Sequence, residues 1–292
     1  MSPFAPGARP TVGELWAALA ERMRAPEMYS EGPRHEAAEL LAHALGLLPR
    51  DLEARIESRI TEAEHSALLG ILSRRLSPEP TAYIVGGVEI GPLRFKVDRR
   101  GFIPRLDLTV LVEAGLAGVP LEAKGRALDL ASGIGAAGIC VAHARPGLLL
   151  DLADVSPEAI ELARENAELH VPGRASCWSG DLFGALPADR RGSYIVITAN
   201  PPWVPDGTVL PDEVIDHEPN VSFFGGPDGL DLVRRIISEL GSWLAPGGIY
   251  AQECDPSQVT KVLELLRGVG LVNGRAHADA EGVLRVVSAV RA

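Results

Sequence analysis

The chain has 292 residues, 46% of them hydrophobic and 23% charged, a balance typical of a soluble globular protein with one large or two smaller domains. Its formal net charge of −11 argues against non-specific binding to a nucleic-acid backbone. No apolar run reaches the roughly 18 residues that a membrane-spanning helix needs. We therefore expect neither nucleic acid nor membrane among its partners, and the composition leaves the oligomeric state open.

The cysteines and histidines predict an intracellular protein without a metal site. Cys140, Cys177 and Cys254 are widely spaced and form no CxxC motif, so we interpret them as buried small hydrophobic residues in a reducing compartment. The first residues lack the apolar stretch of a secretory signal. The seven histidines show no paired spacing, which predicts no metal site. These features together predict a cytoplasmic location.

The N-terminal part of the chain is predicted to be helical. Thr11 and Thr61 each begin a capping box, a pattern in which a threonine is followed three residues later by a glutamate. Another helix is predicted from about Arg34 to Leu45, with Gly46 directly after its end. This part is either a structural appendage or a lid or docking platform for a partner.

A β-hairpin is predicted next. The segments Tyr83–Val85, Val88–Ile90 and Leu93–Val97 alternate between apolar and polar residues around glycine turns. After Pro104, Asp107 is a predicted N-cap for the following helix.

From residue 126 onwards, predicted strands and helices alternate. The predicted strands are Ala127–Leu130, Leu148–Leu152, Ala175–Trp178, Tyr194–Thr198, Ile249–Gln252, Arg275–Ala278 and Leu284–Ala289. The predicted helices are Ala136–Ala144, Pro157–Leu169, Asp228–Leu244 and Ser257–Val269. Alternation of this kind predicts an α/β fold with a parallel, doubly wound sheet. The short connection between the last two strands predicts an antiparallel hairpin at the sheet edge.

A glycine-rich motif follows the first strand of this region. Gly133, Gly135 and Gly138 fit the dinucleotide-binding pattern, and Asp154 closes the next strand about 20 residues later. An NAD-dependent oxidoreductase is therefore one interpretation. However, Asp129 lies four residues before the first glycine, where its carboxylate would repel a pyrophosphate.

A cofactor with positive charge fits these acids better. S-adenosylmethionine carries both an ammonium and a sulfonium group. Asp181 follows the third strand and could accept a hydrogen bond from the adenine amine, while Leu182 offers a backbone N–H. Each acid alone could equally be a helix cap or a solvated loop residue.

The tetrapeptide Asn200-Pro201-Pro202-Trp203 follows the buried strand Tyr194–Ala199. Asn200 offers an amide carbonyl and an NH2 group, and the prolines leave carbonyl oxygens without competing N–H donors. Trp203 adds a flat apolar wall. Such a set can hold a planar NH2 group by its hydrogens, although an Asn-Pro turn that simply ends a strand is the alternative.

In these motifs the chain resembles the HemK-type release-factor glutamine methyltransferase family, whose members use S-adenosylmethionine. The resemblance covers nearly the whole chain. It rests on Phe102–Arg105, Asp129–Gly135, Asp154–Pro157, Ala163–Asn166, Asn200–Trp203, Glu218–Pro219, Phe224–Leu230, Gly247–Gly248 and Gln258. The leading helices are similar to the family's small N-terminal domain.

The resemblance implies a Rossmann-like class I methyltransferase sheet with a terminal antiparallel strand. It implies methyl transfer to an amide nitrogen that is held by Asn200 and the Pro201 carbonyl and packed against Trp203. The cofactor-binding residues that we expect are Arg105, Asp129, Ala131, Gly133, Gly135, Asp154, Val155, Asp181, Leu182 and Asn200. The substrate-binding residues that we expect are Pro202, Trp203 and Glu218. For Arg105 a structural salt bridge is an equal alternative, and for Glu218 a loop acid is the other interpretation.

The implied domains are a helical N-terminal domain for substrate docking or lid closure over residues 1–80, a β-hairpin linker over 81–100, and the catalytic domain over 101–292. The chain departs from the family pattern at several positions. The family's tyrosine is Trp203, its threonine and glutamate after the arginine are Leu108 and Thr109, and the glycine loop has Ala131 and Ile134 where a glycine and a small polar residue are usual.

These departures leave the acceptor open. The acceptor is either a release factor or a small nitrogen-containing molecule of specialised metabolism. The oxidoreductase and a noncatalytic binding module of the same fold are the alternatives from other classes.

Overall fold

The computed structural model describes residues 2–5, 7–23, 32–77, 79–105 and 107–292. It divides into two compact units. The first comprises Met1–Gly87 with Pro211–His217, and the second comprises Val88–Leu210 with Glu218–Ala292.

The first unit is helical. Its helices are α1 (Val12–Arg22), α2 (Pro33–Leu45), α3 (Glu62–Leu76) and α4 (Thr81–Val85). Both predicted capping boxes are confirmed: the Thr11 and Thr61 hydroxyls each accept a hydrogen bond from the backbone N–H three residues on, at 3.2 Å. Gly46 ends α2 in the left-handed conformation, with φ of 65°. Apolar side chains of these helices share one core, which includes Leu15, Leu40 and Leu68.

The predicted hairpin is confirmed only in part. Strands β1 (Gly87–Ile90) and β2 (Leu93–Lys96) form a two-stranded sheet, but Tyr83–Val85 lies in the helix α4 and was wrongly predicted as a strand. All three of its apolar side chains are buried. A short apolar run of this kind does not distinguish a buried helical turn from a strand, and the preceding Pro80 and following Gly86 favour the helix.

The second unit is the α/β fold that the alternation predicts. Its strands are β3 (Gly125–Leu130), β4 (Leu148–Asp154), β5 (Ala175–Ser179), β6 (Tyr194–Ala199), β7 (Leu244–Glu253), β8 (Leu271–Ala278) and β9 (Leu284–Arg291). The remaining α-helices of the described residues are α5 (Leu108–Leu116), α6 (Ala136–Ala144), α7 (Pro157–His170), α8 (Asp212–Ile215, in the first unit), α9 (Asp231–Trp243) and α10 (Val259–Gly268). Every strand and helix predicted after residue 126 is therefore confirmed.

The sheet order is β5-β4-β3-β6-β7-β9-β8. The pairs from β5 to β7 are parallel, and β9 runs antiparallel to both β7 and β8, as the short final connection predicts. The chain reverses its direction of winding between β3 and β6. In a sheet of this kind, ligands bind beyond the carboxyl ends of the strands at that switch point.

Helix α5 lies across β6 and β7. A Cβ built on its Gly115 would lie 3.0 Å from the Thr198 side chain and 3.9 Å from that of Ala251, so the close approach favours glycine. Asp107 occupies the N-cap position as predicted, but its side chain makes no capping bond, because its backbone is already helical with φ of −68° and ψ of −9°.

Two smaller points complete the fold. Cys254 is buried as predicted, whereas Cys140 in α6 and Cys177 on the edge strand β5 are only half-buried. Among the residues that the structure describes, no helix is long and apolar enough to cross a membrane.

Candidate functional site

The glycine loop, residues 131–135, joins β3 to α6. Ala131, Gly133 and Gly135 all have positive φ, at 50°, 52° and 83°. Ala131 therefore occupies the left-handed region, where a Cβ is strained and glycine is not. This explains in physical terms why glycine suits the position.

Asp129 lies at the end of β3 and is 2% exposed. One carboxylate oxygen accepts the Gly138 backbone N–H at 2.9 Å, and the other accepts the Thr198 hydroxyl at 2.8 Å. Burial raises the pKa of Asp129 to about 7. The carboxyl thus fixes the start of α6 against β6, and its predicted contact with a cofactor ammonium stays a prediction.

Asp154 ends β4 and supports the glycine loop from the other side. One oxygen accepts the Gly133 backbone N–H at 2.8 Å, and the other accepts the Ser156 N–H at 2.9 Å. Burial raises the pKa of Asp154, although these backbone donors oppose the shift. The neighbouring Val155 is 54% exposed, so the structure presents an apolar side chain beside the acid.

The third predicted anchor follows β5. Asp181 is 63% exposed, and its carboxylate pairs with Arg235 at 2.6 Å. Leu182 begins a 3-10 turn with φ of 49° and packs partly against the core. The Arg235 ion pair lies at the surface, where such pairs contribute little and exchange readily with a ligand.

The tips of β3, β4 and β5 together fit a nucleoside cofactor with an amino-acid tail. The Ser132 hydroxyl in the glycine loop is buried and makes no hydrogen bond to any described residue. A Cβ on Gly133 would meet nothing within 4 Å, so the loop faces open space there. An unpartnered buried hydroxyl beside an open loop is the donor that a cofactor carboxylate would use.

Asn200 and the residues after it, Pro201, Pro202 and Trp203, form what we call the acceptor clamp. It begins at the tip of β6, where Ala199 pairs with Leu130 of β3 and with Gln252 of β7. The clamp therefore lies directly beside the glycine loop. The Asn200 amide has no hydrogen-bond partner among the described residues, which leaves it available to a ligand.

The backbone of the acceptor clamp is held tightly. The Trp203 carbonyl accepts the Gln258 side-chain N–H at 2.9 Å, and the Val204 N–H donates to the Phe223 carbonyl at 2.9 Å. A Cβ on Gly225 or Gly229 would collide with the carbonyl oxygens of the clamp. These contacts explain the Phe-Gly-Gly-x-Asp-Gly segment, because only glycine allows so close an approach.

The segment 102–105 is fixed by Glu218, which is buried. Its two carboxylate oxygens accept the Ile103 backbone N–H at 2.8 Å and an Arg105 guanidinium N–H at 3.0 Å. The Arg105 guanidinium also lies 4.6 Å from the centre of the Phe102 ring. The structure thus shows the salt-bridge alternative for Arg105, and a role of either residue in ligand binding stays a prediction. Leu106, in the same motif, lies outside the described residues.

Sequence reasoning missed Ser132, Thr198 and Glu253. Glu253 ends β7 and is 5% exposed, and burial raises its pKa to about 8. A polar residue at the carboxyl end of an otherwise apolar strand was the available indication for Thr198 and Glu253.

Comparison with known protein families identifies both parts of the chain. A model described as the PrmC N-terminal domain matches residues 14–86, and one described as the methyltransferase small domain matches residues 111–216. The release factor glutamine methyltransferase of Coxiella burnetii is 33% identical over 90% of this chain and 93% of that protein. The chain belongs to the release factor glutamine methyltransferase family. A second relative, the ribosomal protein uL3 glutamine methyltransferase of Bordetella pertussis, is 38% identical over 77% of this chain and 76% of that protein.

Solved structures agree on the fold of this family member. A 16S rRNA N2 G1207 methyltransferase of T. thermophilus, in complex with AdoMet and guanosine, has a TM-score of 0.52 over 70% of this chain and 50% of that chain, at 17% identity. A methyltransferase from Pyrococcus furiosus also has a TM-score of 0.52, at 17% identity, over 76% of this chain and 98% of that chain. At such identities the likeness shows the fold alone.

The family membership confirms three predictions. The protein is a methyltransferase, its cofactor is S-adenosylmethionine, and its sheet is the Rossmann-like class I sheet. It decides against the NAD-dependent oxidoreductase, whose glycine pattern the chain shares.

Proposed function

We propose that this enzyme methylates the side-chain amide nitrogen of a glutamine in a protein, and that the protein is a release factor. The observation that carries the proposal is the acceptor clamp. Because Ala199 pairs with Leu130, which precedes the glycine loop, Asn200 and Pro201 follow beside that loop. We propose that the Asn200 side-chain carbonyl and the Pro201 carbonyl accept the two hydrogens of an NH2 group there.

The clamp suits an amide because the chemistry needs orientation more than a base. The amide nitrogen is a poor nucleophile, since its lone pair is delocalised into the carbonyl group. Hydrogen bonds from the NH2 group to Asn200 and to the Pro201 carbonyl fix the amide plane so that the lone pair, which lies perpendicular to it, faces the methyl carbon. The same hydrogen bonds stabilise the positive charge that develops on nitrogen. Holding the reactants in this geometry supplies up to ~7–11 kcal/mol in well-oriented cases.

When bound, S-adenosylmethionine supplies a methyl carbon made electrophilic by a positively charged sulfur. Of the chain's own residues, Gly133, Ser132 and Asp154 are proposed to hold it, with Asp181 and Leu182 at the adenine end. Asp129 acts behind them by fixing the start of α6. The new carbon–nitrogen bond forms as the carbon–sulfur bond breaks, and the methylated amide then loses one proton to solvent.

The share of this chain that aligns with each relative favours a release factor over ribosomal protein uL3. The release-factor relatives from Coxiella burnetii and Bradyrhizobium diazoefficiens align over 90% and 93% of this chain, whereas the uL3 relative aligns over 77%. We propose in addition that the helical N-terminal unit docks the protein substrate, as expected for the segment 1–80.

The test is methyl transfer from labelled S-adenosylmethionine to three acceptors: a release-factor fragment that contains Gly-Gly-Gln, the same fragment with that glutamine replaced by alanine, and uL3. We expect label in the first only. Label in uL3 alone would show that the acceptor is a ribosomal protein and not a release factor. Label in the alanine fragment, or in none of the three acceptors, would contradict the proposal.

A further inference from the structure

Asn166 of α7 belongs to neither the glycine loop nor the acceptor clamp, yet its side chain contacts the loop. It is fully buried, at 0% exposure. Its Oδ1 atom accepts the Lys96 backbone N–H at 2.8 Å, and its Nδ2 atom donates to the carbonyl oxygens of Lys96 at 3.0 Å and of Ile134 at 3.2 Å. Both amide hydrogens are therefore used, and the orientation of the group is fixed.

Lys96, the first partner, is the last residue of the hairpin strand β2. Helix α7 holds this strand at a second point, where His170 Nε2 lies 2.9 Å from the Arg94 carbonyl oxygen. The two contacts are compatible because four residues of a helix and two residues of a strand both span about 6 Å. In the described part of the chain, Asn166 also bonds to the glycine loop, whereas His170 does not.

Ile134, the second partner, lies in the glycine loop and is 1% exposed. Asn166 holds its carbonyl oxygen, and its side chain packs on Gly101, where an added Cβ would collide with the Ile134 Cγ2 atom. An approach as close as this needs a residue without a Cβ. Ile134 is thus fixed both at its carbonyl and at its side chain, directly after Gly133, whose N–H binds Asp154.

We propose that Asn166 is a positioning residue for S-adenosylmethionine: by holding the Ile134 carbonyl to the end of β2, it sets the shape of the glycine loop before the cofactor binds. Asp154 and Asn166 then fix successive residues of the loop from different elements. A loop that already has its bound shape costs less to order when the ligand arrives, so its affinity is higher. This inference rests on the proposed placement of the cofactor at the loop and not on the identity of the acceptor.

Asn166→Asp tests the hold because it keeps the size of the side chain and removes its donors. The ionised carboxylate can accept the Lys96 N–H but has no hydrogen for the carbonyl oxygens of Lys96 and Ile134. His170→Ala is the matched control, since it removes a contact between α7 and β2 and leaves the loop contact in place. We expect the Kd of S-adenosylmethionine, measured by calorimetry, to rise about tenfold in Asn166→Asp and less than about twofold in His170→Ala. Equal rises in the two variants, or an unchanged Kd in Asn166→Asp, would overturn the inference.

Hydrogen exchange tests the loop without any ligand. The Gly135 N–H donates to the Ser132 carbonyl at 2.7 Å, so its exchange reports whether the loop keeps its turn. In the ligand-free protein we expect a peptide that spans residues 131–135 to exchange at least about fivefold faster in Asn166→Asp than in the wild type, and at the wild-type rate in His170→Ala. Wild-type exchange in Asn166→Asp would show that Asn166 does not set the loop.

Gly101→Ala decides the question if Asn166→Asp does not fold, as judged by its thermal unfolding. The added Cβ displaces Ile134 from the opposite side and leaves Asn166 intact. We expect the same loss of cofactor affinity and the same faster exchange, and wild-type values of both would overturn the inference. Asp154→Ala separates this failure from that of the proposed cofactor site: if it also leaves the Kd unchanged, the cofactor does not bind at the glycine loop, while hydrogen exchange still reports whether Asn166 holds the loop.

Discussion

The two sides of the site in the second unit are built differently. On the cofactor side, Asp129 binds the backbone N–H of Gly138 in α6, nine residues away, and Asp154 binds that of Gly133 in the glycine loop, 21 residues away. On the acceptor side, Glu218 holds Ile103 across 115 residues and Arg105 across 113. The cofactor side is thus a local backbone structure, whereas the acceptor side depends on side chains brought together by the fold.

Because of this difference, we expect substrate specificity to change more readily on the acceptor side than on the cofactor side. A loop held by its own strand ends keeps its shape when outer side chains vary. The acceptor side is held by pairs such as Arg105 with Glu218, in which one substitution alters the partner's surroundings. The departures Trp203, Leu108 and Thr109 fall on or next to this side, whereas Ala131 and Ile134 lie in the glycine loop.

Removal of Glu218 is expected to have the largest effect. Glu218→Ala leaves Arg105 without its carboxylate and the Ile103 N–H without its acceptor, which costs about 3–5 kcal/mol of unfolding free energy, as for other broken buried pairs. Chemical denaturation measures it. Glu158→Ala, an acid in the first turn of α7, is the matched control and is expected to cost less than about 1 kcal/mol. Equal effects of the two would contradict the account of the acceptor side.

Asn200→Ala is expected to reduce kcat by about 10²–10³, because it removes a group that stabilises the transition state. The Kd of S-adenosylmethionine should stay within about twofold, as calorimetry would show. Asp154→Ala should do the reverse and weaken cofactor binding first, since it releases the glycine loop. Asn273→Gly, at a position with φ of 55° on β8, serves as the folding control. Near-normal turnover of Asn200→Ala would contradict the clamp assignment.

Stability should fall as pH rises from 5 to 8. Burial raises the pKa of Asp129 to about 7 and that of Glu253 to about 8, so in this range the folded state keeps protons that the unfolded state has released. Each group then removes up to about 1.4 kcal/mol of unfolding free energy per pH unit, until the pH passes its folded pKa. Denaturant midpoints across this range measure the slope. Glu253→Gln should flatten it, and a rise in stability with pH would show that these acids are ionised in the fold.

Ala131→Gly is expected to stabilise the protein by about 1 kcal/mol, because it relieves a left-handed alanine and offsets the extra chain entropy of glycine. Ala137→Gly, inside α6, is the matched control and should destabilise by a similar amount. Both are measured by denaturant unfolding. If Ala131→Gly also destabilises, the glycine loop is not strained at this position.

Much of the fold was readable from the sequence because local patterns determine it. The alternating segments after residue 126, the two capping boxes and the final antiparallel hairpin all follow from periodicity and turn residues. Tyr83–Val85 was misread because a five-residue buried helix has no period of its own. The side chain of Asp107 was misread because a cap depends on backbone angles that residue type does not fix.

The site divides in the same way. Glycines and acids at strand ends marked the cofactor side, and Asn-Pro-Pro marked the acceptor clamp. For Thr198 and Glu253 the sequence offered only a polar residue at the end of an apolar strand, because their contacts come from strand register and from neighbours more than 50 residues away. The ion pairs of Arg105 and Asp181 could likewise not be predicted, because their partners Glu218 and Arg235 are distant in the sequence.

The most direct test of the clamp is the position of the methyl group on the product. Tandem mass spectrometry of a release factor incubated with the enzyme and S-adenosylmethionine locates one added methyl group on a fragment ion. The account predicts that it lies on the side-chain nitrogen of the glutamine in Gly-Gly-Gln. A methyl group on a carboxylate, a lysine or the main chain would contradict it.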